Sequence, residues 1–294
     1  MFSLKTILVP VFDSETFTDS RRLPEQLAWL ARRFQSEIVL LHAVSTFDYP
    51  AGLLESGSEI TERDLNAYAI QHAESGLAEL RLPELDGLQV TRLLLRGDPA
   101  RQILQTALDR NASLIAMPAG RDKAFYEFLS SSVTLKVLAE SACPVWTGSH
   151  LDESSAREFS IRQILCSIDL TPHNRHTAAL AAEIATAAGA KLTLIHITAG
   201  VEAWGPGGTH VDPEWKKTLT GIATKEIAEL QRELGTHADV IIDSGDVPEL
   251  LNRAAESLNA DVLVIGRIPG RSHLGDNGHG YSLVRHSSIP VLSV

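Results

Sequence analysis

The chain has 294 residues, about twice the length of a common domain, with 44% hydrophobic and 21% charged residues and a formal charge of -11. Enough apolar side chains for sizeable cores exclude a disordered polymer, and the acidic balance, with no Lys/Arg cluster longer than a pair, argues against a nucleic-acid partner. Apolar runs such as LIAM and VLVIG stay far below the roughly 20 residues of a bilayer span, so no transmembrane helix is expected.

The N-terminal MFSLKTILVPVF reads as a first strand and not a leader, because Pro10 and Asp13 interrupt it and no small-residue cleavage site follows. A cytoplasmic protein is expected, and Cys143 and Cys166, in apolar contexts without C-x-x-C spacing, read as buried free thiols. Further strands are expected near 37–44, 88–96, 113–118 and 144–147, and continuous apolar runs such as EIVLLHAV fit strands covered on both faces. Between them, LPEQLAWLARRF and DPARQILQTALDR place apolar residues three and four apart, as helices do. Asp98 and Pro99 make a helix start, an N-cap followed by a proline at the first helical position. The polar, serine-rich stretch that follows residue 148 divides the chain into a domain at 1–148, a linker at 149–160 and a second domain at 161–294.

Beyond the linker the same landmarks return in the same order. Ile7 and Ile164 begin matching strands 157 residues apart, and His42 and His196 sit 154 apart near the ends of LLHAV and LIHIT. Gly97 matches Gly245 and Asn111 matches Asn259 at 148, and Pro144 matches Pro290 at 146. Slowly shrinking offsets mark a duplicated unit with small deletions in the second copy. Asp246 repeats the cap of Asp98, and Gly189 closes the helix NRHTAALAAEIATAAG. The segments 58–81 and 212–235 precede the third strand of each copy as amphipathic crossover helices, with Leu219, Ile222, Ile227 and Leu230 at near-helical spacing. Strands alternating with helices predict an α/β fold with parallel sheets.

The strand starts, L-[IL]-H, Gly-Asp before the third helix, D-[LV]-[IL]-V-[MI]-G and the closing C-P-V or I-P-V strand resemble the universal stress protein family, in particular its tandem, E-type members. The resemblance covers nearly the whole chain. It implies two doubly wound, five-stranded, Rossmann-like parallel-sheet domains in tandem, often dimeric, with ATP or another adenine nucleotide bound in some members beyond the carboxyl ends of the strands. The family's phosphate loop is G-x2-G-x9-G-[ST], whose glycines let the backbone approach the phosphates.

In the first copy that motif reads Pro118, Arg121, Ser131 and Ser132, and Phe12 falls where the family has an adenine-side aspartate, so a degenerate site is expected. In the second, Ser167, Ile168 and Asp169 fall in register with Pro-Val-Asp, and Gly266 holds the first loop glycine. The second glycine is Pro269, with Gly270 one residue late, and counting back from the closing strand sets Asn277 and Gly278 at Gly-[ST]. The candidate nucleotide site is therefore Ser167, Ile168, Asp169, Ile197, Gly266, Arg267, Gly270 and Gly278, with Asp169 accepting from a ribose or adenine edge and Ile168 and Ile197 covering the ring. A zinc site from His273, His279, His286 and Asp276 is the rival reading of the glycine-rich loop, although the spacings match no zinc pattern. His42 and His196, at repeated positions, read as packed side chains.

No nucleophile elbow, P-loop or H-E-x-x-H pair occurs, so a dedicated enzyme is not expected, slow ATP hydrolysis aside. The sequence points to a cytoplasmic stress-response protein that binds an adenine nucleotide in its second half, with magnesium only as the nucleotide's counterion, a homodimer of the chain and unidentified protein partners. The alternative is a nucleotide-free scaffold, or a binder of another small ligand through altered clefts.

Overall fold

In a computed structural model of the chain, the described residues are 4–12, 22–45, 62–118, 132–148, 158–171, 174–198, 202–205, 208–211, 213–267, 283–284 and 287–294. They fall into two compact units, one of Ser3–Gly148 with Arg157–Phe159 and the other centred on Ser160–Val294.

The first unit is built from β1 (Thr6–Pro10), α1 (Arg22–Phe34), β2 (Glu37–Val44), α2 (Glu62–Glu79), β3 (Val90–Arg96), α3 (Pro99–Asp109), β4 (Leu114–Met117), α4 (Ser132–Glu140) and β5 (Val145–Thr147). Its strands lie in the order β3-β2-β1-β4-β5, and every pair is parallel. Every residue of β1 and β4 is buried, as strands covered on both faces require. On α1 the inward stripe is Leu23, Leu27, Leu30 and Ala31, recurring at helical spacing. Gln26 is buried in the same helix, and its Oε1 accepts from Trp146 Nε1 at 2.8 Å. Phe159, at the end of the segment expected to be a linker, packs here too, its ring 5.9 Å from that of Trp29 and 6.4 Å from that of Trp146, both edge-on.

The second unit repeats the plan with β6 (Gln163–Ser167), α5 (Asn174–Ala188), β7 (Lys191–Thr198), α6 (Pro213–Leu234), β10 (Asp239–Ser244), α7 (Val247–Leu258), β11 (Val262–Ile265) and β12 (Val291–Ser293), in parallel order β10-β7-β6-β11-β12. An antiparallel hairpin, β8 (Glu202–Gly205) and β9 (Gly208–Val211), stands between β7 and α6 as a separate sheet. The sequence reading has no counterpart for it, because its strands are too short to show a period. On α6, Ala223, Ile227 and Leu230 are buried, but Ile222 is 53% exposed and lies off the core stripe.

The duplication extends to backbone conformation. Asp98 Oδ1 accepts from Arg101 N at 2.8 Å, and Asp246 Oδ1 from Glu249 N at 3.0 Å, so both third helices are capped alike. The preceding Gly97 and Gly245 take φ of 122° and 147°, which a side chain would strain. Asn111 and Asn259 follow the same helices in the left-handed region at φ 47° and 48°.

Candidate functional site

In each unit the strand order turns back between the first and fourth strands, which opens a crevice at their carboxyl ends, where doubly wound sheets hold ligands. In the second unit that place lies beyond β6 and β11. The pairing of Val264 with Cys166, extended by two residues, sets Gly266 beside Ile168. On the other side Ser167 pairs with Ile195, and the Ile168 amide donates to Ile195 O at 2.9 Å, so Asp169 emerges alongside Ile197.

Asp169 is exposed and held. Its Oδ1 accepts from the Thr171 amide at 2.8 Å and from Thr171 Oγ1 at 2.7 Å, and its second oxygen accepts no hydrogen bond among the described residues. The intervening Leu170 takes φ 61°, a left-handed conformation uncommon for a bulky side chain and one that concentrates at functional turns. Thr171 is a positioning residue that the sequence reading missed. The Asp-x-Thr spacing, which lets a side-chain oxygen close a turn on the amide two residues on, was its only signal.

Ile168 is buried at 2% exposure and Ile197 is half-buried, so of the two only Ile197 offers surface at this edge. The Ile168 carbonyl accepts from His196 Nδ1 at 2.8 Å, and Val11 O accepts from His42 Nδ1 at 2.7 Å. A carbonyl only accepts, so Nδ1 carries the proton in both rings, and each histidine ties the end of one strand to its neighbour. Gly266 is exposed just beyond β11. The Arg267 amide donates to Val294 O at 2.8 Å and so serves the sheet, and no backbone hydrogen bond of Gly266 is formed among the described residues. Gly270 and Gly278, with His273, Asp276, His279 and His286, lie outside the described residues. Among the described residues no group of three or more His, Cys, Asp or Glu side chains is placed to hold a metal ion.

The first unit has the same frame and different chemistry. The Val11 amide donates to Leu41 O at 2.8 Å, the counterpart of Ile168 to Ile195, and His42 takes Val11 O as His196 takes Ile168 O. Val11 and Ile168 are therefore equivalent, and Phe12 stands at the place of Asp169 without a bulge up to that residue. Pro118, buried, stands where the second unit has Gly266. At these two described positions an aromatic ring and a residue without an amide proton stand in place of a carboxylate and a glycine.

The family profile for universal stress proteins matches residues 3–147 and again 160–294. The chain belongs to the universal stress protein family, as two copies in tandem. A universal stress protein of Archaeoglobus fulgidus DSM 4304 superimposes with a TM-score of 0.65 at 19% identity, covering 99% of this chain and 96% of that one. A functionally unknown protein of Pseudomonas aeruginosa PAO1 gives 0.63 at 19%, covering 99% and 92%. A universal stress protein solved in complex with cAMP spans 46% of this chain and 98% of its own at 17% identity, with a TM-score of 0.36. No curated protein matches the chain in sequence. No described helix is long and apolar enough to cross a membrane.

Proposed function

We infer that this chain is a cytoplasmic stress-response protein that holds an adenine nucleotide, ATP in the first instance, in the crevice of its second unit and acts through conformation or partners, not turnover. The observation that carries the reading is that Asp169 and Gly266 follow the carboxyl ends of the paired strands β6 and β11, both exposed at the switch point, with Phe12 and Pro118 in their places in the first unit. One half keeps a carboxylate fixed by Thr171 beside open glycine backbone; the other has lost both. Asp169 would accept from the ribose or the adenine edge, Ile197 would lie against the base, and the glycine-rich segment after Gly266 would meet the phosphates, with Mg2+ brought by the nucleotide. The first unit then serves as a scaffold without nucleotide, a second reading that Phe12 and Pro118 favour for that half alone. Self-association into a homodimer of the chain fits the same reading.

The test begins with the purified protein, denatured without added nucleotide, and mass spectrometry of what it releases. Titration of the native protein with ATP and Mg2+ follows, beside Asp169→Ala. About one adenine nucleotide or one binding site per chain is expected, with affinity about tenfold or more weaker in the variant, as loss of a charged hydrogen-bond acceptor implies. No released nucleotide and no binding, or equal binding by Asp169→Ala, overturns the assignment. Hydrolysis slower than any metabolic turnover is the expected result of an ATPase assay.

A further inference from the structure

The carboxyl edge of the second sheet holds one more carboxylate, Asp243 of β10, half-buried and paired with Ile197 of β7. Partners in parallel strands put their side chains on one face of the sheet, so Asp243 shares the face of Ile197. Asp169 comes out on that face from the other side, two residues after Ser167, which pairs with Ile195. Ile197 therefore stands between two carboxylates, one on the strand to either side. Neighbouring strands are about 4.8 Å apart, which sets the two aspartate backbones roughly 10 Å from each other. Asp243 is held as Asp169 is. Its Oδ1 accepts from the Ser244 amide at 2.8 Å, and its second oxygen accepts no hydrogen bond among the described residues. Thr198 Oγ1 donates to the Asp243 carbonyl at 3.2 Å, which fastens this part of β10 to the end of β7.

The first unit shows that the sheet has no need of this carboxylate. There Ala43 pairs with Leu95 as Ile197 pairs with Asp243, at the offsets of 154 and 148 that relate the two copies. Leu95 is half-buried like Asp243, so the same frame takes an apolar side chain at this point, and a carboxylate here gives up hydration without serving the fold. Along the strand order β11-β6-β7-β10 the carboxyl ends of the second sheet carry Gly266, Asp169, Ile197 and Asp243 in turn. The first unit has Pro118, Phe12, Ala43 and Leu95, with both acceptors replaced by apolar residues.

We propose that Asp243 is the residue that reads the base of the bound nucleotide, its open oxygen accepting a hydrogen bond from the exocyclic amine of adenine while Asp169 takes the ribose. The inference rests on the nucleotide reading given above and adds the group that selects the base. A purine laid over Ile197, with its sugar at Asp169 and its phosphates toward Gly266, turns its far edge to β10. An ionised carboxylate only accepts, so it rewards a donor on that edge and gains nothing from a purine without one.

The test compares ATP with purine riboside triphosphate, which has hydrogen in place of the amine, each titrated with Mg2+ into the full chain by calorimetry. The unaltered chain is expected to bind ATP about tenfold or more tightly than the analogue, the effect of one charge-assisted hydrogen bond. Two variants carry the test. Asp243→Leu installs the residue that the first unit folds with, and Asp243→Asn keeps the acceptor for the Ser244 amide and turns its own donors to the base. Each is expected to lower ATP affinity by about tenfold and to bring the two ligands level. ATP binding that Asp169→Ala weakens but that shows no preference over the analogue, or a preference that survives both Asp243 variants, overturns this inference and leaves the nucleotide assignment in place. So does an equal fall for both ligands, which makes Asp243 a residue that shapes the crevice without reading the base. No ATP binding by the unaltered chain overturns both.

Discussion

Cys166 lies wholly inside β6, and burial pushes its thiol pKa up from the ordinary 9.0 to about 12. Its folded pKa is raised, so the stability it supports is fully present below about pH 9 and is lost as pH climbs from there toward 12, because the unfolded chain releases the proton first. Denaturant titrations between pH 8 and 10.5 should show an added loss of up to about 1.4 kcal/mol per pH unit above pH 9 that Cys166→Ala lacks. A thiol reagent should spare Cys166 in the native protein and react with the half-buried Cys143. Gln35 is a second residue-scale feature. It ends α1 in the left-handed region at φ 56°, where the other copy has Gly189 at 69°. Gln35→Gly is expected to stabilise the protein by about 0.5–1 kcal/mol, read from the denaturant midpoint, because glycine takes that conformation without a Cβ clash. Unchanged or lower stability counts against strain at this position.

At the scale of elements, the two copies diverge most where helices meet loops. Arg92 on β3 donates from Nε to Leu77 O and from Nη2 to Leu80 O, both at 3.1 Å, and so fastens the end of α2 and the turn that follows. Its counterpart is Val240, 41% exposed on β10, where a longer α6 has taken over that stretch. A similar exchange surrounds Gln26 and Trp146, whose counterparts are Leu180 and Leu292. The first unit has an indole to satisfy, and a buried amide does it. Gln26→Ala removes the acceptor of a buried N–H as well as packing and is expected to cost about 2–4 kcal/mol in denaturant unfolding. Gln26→Leu keeps the volume, so comparing the two separates the hydrogen bond from the cavity.

For the whole molecule, duplication has left two similar frames free to differ. Both keep the strand order, the capped third helix and the histidine that ties the first strand to the second, the parts on which the sheet depends. They differ at Phe12 and Asp169, at Pro118 and Gly266, and in the turn at Pro83–Leu85, none of which the sheet requires. On the proposed reading, that distribution would separate a scaffold half from a ligand half. The expected weakening of nucleotide binding by about tenfold or more in Asp169→Ala, in a chain that still folds cooperatively, is the molecule-scale consequence.

What the sequence determined alone was the repeat, the family and the α/β plan, because apolar period, caps and left-handed turn residues are local and reappear at fixed offsets. It also set Asp169 just past the first strand of the second copy, where it lies exposed, since a strand followed by its own helix start fixes register within a few residues. The positioning by Thr171, the commitment of the Arg267 amide to Val294, the burial of Ile168 and the hairpin at 202–211 were not legible. Each depends on which backbone group lies opposite, and pairing between strands dozens of residues apart leaves no trace in a single sequence.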